Sequence, residues 1–278
     1  MFDRMIIVCY AGGSRGEAIA RIIELSPSVY ARNGKANSIP NHLGRMEIAT
    51  RWGWEIDFNV HPMFGAVEYW IRSKTEFRLD QDISPDIVSE WRRIVPNLWY
   101  AKDGPNRWRL SDIIKRNHIV IADHMYPAHV HQLLPGSKTV AVCGDSTLAF
   151  NLFYDKWLMA HPPDFYLKEP NFDAKTNLDR EIANIIGIRQ SQISDQERKG
   201  WLGVCRQKTM EMMNEFSRDQ SSYQVDFQKL FHPEFGYEVY HEMAEYLGIE
   251  PNWPDVADFI GTYNSLEPIA KGPPAHLI

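Results

Sequence analysis

The sequence predicts an α/β fold in which a mainly parallel sheet is covered by helices, and three observations predict it. A short apolar run, 5–10 (MIIVCY), passes through a glycine-rich turn into a helical pattern. Two more apolar runs, 117–121 (NHIVI) and 138–143 (KTVAVC), are separated by a helix-like segment, and another helical pattern follows the second of them. Strand, helix, strand, helix with short connections is a βαβ unit, and its strands are parallel because each helix returns the chain to the same end of the sheet.

In order along the chain, residues 5–10 read as a short buried strand, and residues 17–25 place Ile19, Ile22, Ile23 and Leu25 at helical spacing. Between them lie Gly12, Gly13, Ser14, Arg15 and Gly16. A strand that turns through glycines into a helix leaves first-turn N–H groups aimed at one point, where the helix dipole favours an anion. Arg15 adds a forked set of cationic donors. The same residues carry a second reading. Ser14 and Glu17 form S-x-x-E, a capping box that would satisfy those N–H groups without a ligand. The Mg-ATP loop G-x-x-x-x-G-K-[ST] fits poorly: aligned on Gly16, its first glycine is Ala11, its lysine Glu17 and its hydroxyl residue Ala18.

Residues 33–41 (NGKANSIPN) read as a polar loop, and the segment 51–72 carries Trp52, Trp54, Phe58, Phe64, Tyr69 and Trp70, as core or as pocket lining. After the strand at 117–121 the chain breaks into ADHMYP, which contains His124. Pro127 suits the first turn of the next helix, and Pro135 and Gly136 stop it. The strand at 138–143 leads to a turn, a cap at Asp145 or Ser146, and an amphipathic helix. Residues 165–183 are polar with few apolar repeats and read as a loop or insertion. Ser194 and Glu197 form another capping box, opening a long helix through Ser217 that Trp201, Leu202, Met210 and Met213 fit. A strand is expected at 222–227, and a helix over 236–247 stops at Gly248. The segment 271–278 (KGPPAHLI) looks loose or partner-bound.

A chain of 278 residues suits one domain, 1–278, with a helical or loop insertion around 161–218. An apolar fraction of 44% is that of a globular protein, and a net charge of -6 argues against generic nucleic-acid binding. Cys9, Cys143 and Cys205 are too few and too scattered for a disulfide framework or a C-x-x-C metal site. His124, His129 and His131 lack a spaced carboxylate or cysteine to complete a ligand set, so no metal is expected. The HEMAE stretch at His241 lacks the second histidine of the zinc-protease pattern and reads as a polar helix face. MFDR runs straight into a strand and no apolar run approaches spanning length, so a cytoplasmic protein with no membrane partner is expected.

Three segments, in order, resemble one family. IIVCYAGGSRGEAIARII resembles the 5'-phosphosulfate loop of the sulfotransferases. VIADHMYPAHVHQLLPGSKTVAVCGDSTLAFNLFYDKW is similar to that family's second and third core strands and its donor-binding helix. YQVDFQKLFHPEFGYEVYHEMAEYLGIEP is similar to its late strand and the helix that ends F-L-G-I. The resemblance implies a three-layer α/β sandwich of the phosphate-loop type. It also implies transfer of a sulfuryl group from 3'-phosphoadenosine 5'-phosphosulfate (PAPS) to a hydroxyl or amine, on a small-molecule or glycan acceptor. It assigns His124 as catalytic base, and Arg15 as the charge that stabilises the bridging oxygen. Gly12, Gly13, Ser14, Arg15, Gly16 and Glu17 become the donor loop, and Asp145 and Ser146 open the helix near the 3'-phosphate.

The sequence departs from the family at two places. Glu17 and Ala18 stand where the donor loop carries hydroxyl residues, and the arginine expected to meet the 3'-phosphate falls near Gly144. RKGWLG, 198–203, resembles the family's R-K-G-x-x-G donor loop but precedes the late strand and lies inside an expected helix, so no site is assigned to it. Without the resemblance His124 reads as a strand-end histidine bonded to nearby backbone. Two other functions stay open: a non-catalytic binding protein on the same fold, and a nucleotide-dependent phosphotransferase, against which the missing lysine and hydroxyl count.

Overall fold

The computed structural model describes residues 2–30, 85–86, 88–89, 99–101, 107–109, 114–115, 117–161, 175–187, 192–266 and 270–278. The loop at 33–41 and the aromatic segment 51–72 lie outside the described residues. Strand β1 is Met5–Cys9, β4 is Ile119–Asp123, β5 is Lys138–Cys143 and β6 is Tyr223–Asp226, while β2 (Trp99–Ala101) and β3 (Arg107–Arg109) form a separate antiparallel pair. The central sheet has the order β4-β1-β5-β6, and all three of its ladders are parallel. Every residue of β1 is buried, as expected for a parallel strand covered on both faces.

Around this sheet stand α1 (Gly16–Glu24), α2 (Pro127–Leu133), α3 (Ser146–Phe153), α4 (Asn177–Ile186), α5 (Asp195–Phe216), the four-residue α6 (Phe227–Leu230), α7 (Gly236–Leu247) and α8 (Trp253–Leu266). The chain leaves β1 toward β4 and then crosses back over β1 to β5 and β6. With right-handed crossovers, that reversal puts α1 on one face and α2 and α5 on the other. The contacts agree. Tyr126, which caps α2, packs edge-on against Phe216 of α5 at 6.0 Å. On the other face the Asn252 amide, between α7 and α8, donates to the Leu25 carbonyl at the end of α1 (3.0 Å).

Most boundaries follow from the sequence, and four readings need correction. First, β4 starts at Ile119, two residues later than expected, because His118 exchanges backbone bonds with Ser28 and Tyr30 and forms an isolated bridge to Val29. Second, the stretch read as a polar loop holds α4 from Asn177: the Thr176 hydroxyl accepts from the Asp179 N–H, and Leu178 and Ile182 enter a second core cluster. Leu178, Ile182, Ile185 and Ile186 stand at helical spacing, but the last two lie beyond the stretch 165–183 that reads as a loop. Third, Met210 of α5 is exposed, whereas Met212, Met213 and Phe216 enter the main core. Fourth, the segment 270–278 is tied down. The Asp155 carboxylate accepts from the N–H groups of Lys271 and Gly272, and Leu277 is buried beside Phe150, Tyr154 and Leu158. Asp155 lies in a π-helical turn, Tyr154–Leu158, that continues α3.

The capping box at Ser194 and Glu197 forms as expected, with bonds in both directions. Gly248 ends α7 in the left-handed region. No helix among the described residues is long and apolar enough to cross a membrane.

Candidate functional site

Because the chain moves from β1 to one neighbour and returns to the other, the loops after β1 and β5 diverge at the C-terminal edge of the sheet. That is the topological switch point, the crevice where open α/β sheets take ligands. Residues 10–15 follow β1 and residues 144–145 follow β5, so the structure brings Gly12–Gly16 and Asp145 to one edge of the sheet. His124 follows β4, whose last residue, Asp123, is in register with Cys9 at the end of β1.

The glycine loop does not form the expected capping box. Arg15, not Ser14, is the N-cap of α1, and its own side chain makes no capping bond. Ser14 is fully buried, and both its hydroxyl and its N–H donate to the Ala11 carbonyl (2.8 and 3.1 Å). Ser14 therefore closes the loop on itself and does not face outward. Glu17 instead accepts from the Tyr10 hydroxyl at 3.0 Å.

Backbone conformation alternates across this loop. Gly13 (φ 82°) and Arg15 (φ 61°) are left-handed, while Ser14 and Gly16 are not. Successive residues of alternating hand turn their N–H groups toward one concavity, a nest that receives anions. The N–H groups of Gly13, Gly16 and Glu17 meet no acceptor among the described residues. The glycines also let the loop pack closely. A Cβ on Gly13 would sit 1.9 Å from the Ala149 carbonyl oxygen of α3, and one on Gly16 would meet the Tyr10 ring at 1.9 Å.

His124 is partly buried, and its ring lies 4.2 Å from that of Tyr10. Its Nδ1 is 2.8 Å from the Tyr10 carbonyl oxygen. A carbonyl only accepts, so Nδ1 carries the proton and the neutral ring keeps its lone pair on Nε2. Tyr10 thus links the site: its carbonyl fixes the His124 tautomer, its ring backs both His124 and Gly16, and its hydroxyl holds Glu17. Tyr10 ends the first apolar run, and nothing in the sequence marks it beyond that position.

The Arg15 side chain reaches an aromatic cluster. Its guanidinium carbon is 4.6 Å from the Phe231 ring centroid and 5.7 Å from those of Phe227 and Tyr263. The Lys156 ammonium, on a side chain buried in the π-helical turn, lies 5.5 Å from the same Tyr263 ring. Phe227 and Phe231 are four apart in FQKLF, a spacing that puts both on one helical face and was open to a sequence reading. Tyr263 and Lys156 join them only through the tertiary fold.

Asp145 is the N-cap of α3, and its carboxylate accepts from the N–H groups of Thr147 and Leu148 (2.8 and 3.1 Å). The first turn of α3 is thereby satisfied by the chain's own negative charge, which disfavours an anion at Asp145 and Ser146. Burial and the Asp226 carboxylate push the Cys143 thiol up to about 11, so it stays protonated at neutral pH. Gly200 and Gly203 of RKGWLG lie within α5, where a helical backbone forms no loop around a phosphate. Among the described residues no group of three histidines, cysteines or carboxylates is placed to hold a metal ion. No family model, curated protein or solved structure matches the chain.

Proposed function

We propose that the protein is a sulfotransferase-like enzyme on a phosphate-loop-type, three-layer fold. It would move a sulfuryl group from PAPS to a hydroxyl or amine of a small-molecule or glycan acceptor. The observation that carries this reading is the nest at the switch point: alternating backbone at Gly13 to Gly16, with the N–H groups of Gly13, Gly16 and Glu17 meeting no acceptor among the described residues. The three-segment resemblance supplies the chemistry.

In this reading the nest holds the anionic end of the donor, and Arg15 adds a cation where charge develops on the leaving oxygen. His124 Nε2 takes the proton of the acceptor hydroxyl as the acceptor oxygen bonds to sulfur. The bond from sulfur to the 5'-phosphate oxygen breaks, and its electron pair leaves with adenosine 3',5'-bisphosphate. The Tyr10 carbonyl, bonded to Nδ1, stabilises the imidazolium that results. Glu17, engaged by the Tyr10 hydroxyl, repels the donor less than a carboxylate folded over the nest would.

The test is a titration with adenosine 3',5'-bisphosphate followed by thermal unfolding. A ligand of the native state at 100 times its Kd adds about 2.7 kcal/mol and raises the midpoint. A saturable rise is expected, and no rise at millimolar ligand overturns the reading. Turnover with PAPS and an acceptor panel should then disappear in His124→Ala. A second reading, an anion-binding protein without transfer, is favoured by the inward-turned Ser14 and the acid-capped α3. Bisphosphate binding without turnover on any acceptor would select it.

A further inference from the structure

We propose that the Tyr10 hydroxyl is a latch: it holds the Glu17 carboxylate and so keeps the nest at Gly13–Glu17 open to an anionic ligand, which makes Tyr10 a positioning residue that acts through Glu17. This inference rests on the proposed anion-binding function of that loop and adds to it the pair of residues that governs access.

Glu17 has two homes within reach. Its backbone N–H is one of the three in the nest that meet no acceptor among the described residues, and its carboxylate is tethered to the Cα beside that N–H. The first turn of a helix attracts acidic side chains through its free N–H groups and its dipole. A carboxylate in that turn is therefore an internal competitor for any anion the nest would take. The other home is the Tyr10 hydroxyl, which donates to Glu17 Oε1 at 3.0 Å. Glu17 occupies this second home, and among the described residues its carboxylate has no other hydrogen bond or ion pair. A hydrogen bond to an ionised acceptor is roughly twice as strong as one between neutral groups, which suits the phenol to hold the carboxylate against the pull of the helix end.

Tyr10 is fixed firmly enough to act in this way. It follows β1 directly, is 8% exposed, and packs its ring 4.2 Å from that of His124. A Cβ on Gly16 would fall 1.9 Å from Tyr10 Cγ, so the lack of a side chain at 16 is what lets the ring lie against the loop and bring its hydroxyl to the next residue. Glu17, by contrast, is only partly buried. A rigid donor and a more accessible acceptor are the two halves of a latch, and Tyr10, Gly16 and Glu17 form it together.

A double-mutant cycle tests this, with adenosine 3',5'-bisphosphate as the probe and calorimetric Kd as the readout. Tyr10→Phe removes the hydroxyl and keeps both the ring and the backbone carbonyl that accepts from His124. It should weaken binding by roughly three- to tenfold, the worth of one released hydrogen bond, because the freed carboxylate competes for the nest. Glu17→Gln should bind at least as tightly as wild type, and the double variant should bind like Glu17→Gln, a rescue that a purely structural role of the hydroxyl would not show. If Tyr10→Phe binds like wild type, or if its loss persists in the Glu17→Gln background, the proposal fails. If Glu17→Gln binds more weakly than wild type, Glu17 helps to hold the ligand, and the proposal fails as well. A wild-type protein that does not bind the probe defeats the nest reading itself, a distinct outcome, and the latch falls with it. Should Tyr10→Phe not fold, Glu17→Asp keeps the charge beside the nest on a side chain one methylene shorter than the phenol requires; it should weaken binding as Tyr10→Phe would, and wild-type affinity there overturns the proposal.

Discussion

Replacing Gly13 by alanine tests whether the anion loop is held by its contact with α3. The new Cβ would lie 1.9 Å from the Ala149 carbonyl oxygen and 2.6 Å from the Phe153 nitrogen, both backbone atoms that no rotamer change can move. The loop and α3 must separate by an ångström or more, an overpacking cost of about 1–3 kcal/mol. The residue must also keep a φ of 82°, which costs an L side chain about 1–2 kcal/mol. Together the two terms predict a loss of about 2–5 kcal/mol, a large part of the ~5–15 kcal/mol that holds a domain folded. Equilibrium urea denaturation followed by tryptophan fluorescence reads this as a midpoint lowered by about 1 M or more. Gly200→Ala is the matched control. That glycine lies inside α5 with open space around it, and alanine there should stabilise by up to about 1 kcal/mol. A Gly13→Ala protein within about 0.5 kcal/mol of wild type would refute the packing argument.

Asp145→Ala should cost about 1 kcal/mol through loss of the α3 cap, read by thermal unfolding, and should strengthen bisphosphate binding if the carboxylate repels the ligand. Glu197 titrates below the ordinary carboxylate range because the Ser194 N–H and hydroxyl both donate to it. Its folded pKa is depressed, so its contribution is present above the unfolded value and is lost as pH falls through the folded one. Glu197→Ala should therefore lower the unfolding midpoint at neutral pH, with the gap to wild type closing in acid; a gap independent of pH would contradict the assignment.

The two S-x-x-E motifs show how far sequence reaches. At Ser194 the backbone is extended (φ -84°, ψ 162°), nothing competes for Glu197, and the box forms as written. At Ser14 the same letters fail, because the left-handed residues on either side move the cap to Arg15 and the Tyr10 hydroxyl takes Glu17. Local pattern decides a cap only where tertiary partners leave it alone. β1, β4 and β5 were legible because each is a run of mainly apolar residues in the parallel sheet, and β5 matches its expected bounds. The site was legible in part. Glycine spacing after β1 and a histidine after β4 are local signals, and the fold brings both to the C-terminal edge of one sheet. The setting of Arg15 was not legible: its three rings come from positions 227, 231 and 263, which meet only when β6 and α8 are in place.

The clamp at Asp155 joins distant parts of the chain. One carboxylate fastens residues 271 and 272 to the end of the helix whose other contacts, at Ala149 and Phe153, back the glycine loop. Gly272 lies against the Asn151 side chain of that helix, where a Cβ would meet Oδ1 at 2.3 Å. Residues at both ends of the numbering thus brace opposite sides of one short helix. Gly13 and Gly272, more than two hundred positions apart in the numbering, share one wall.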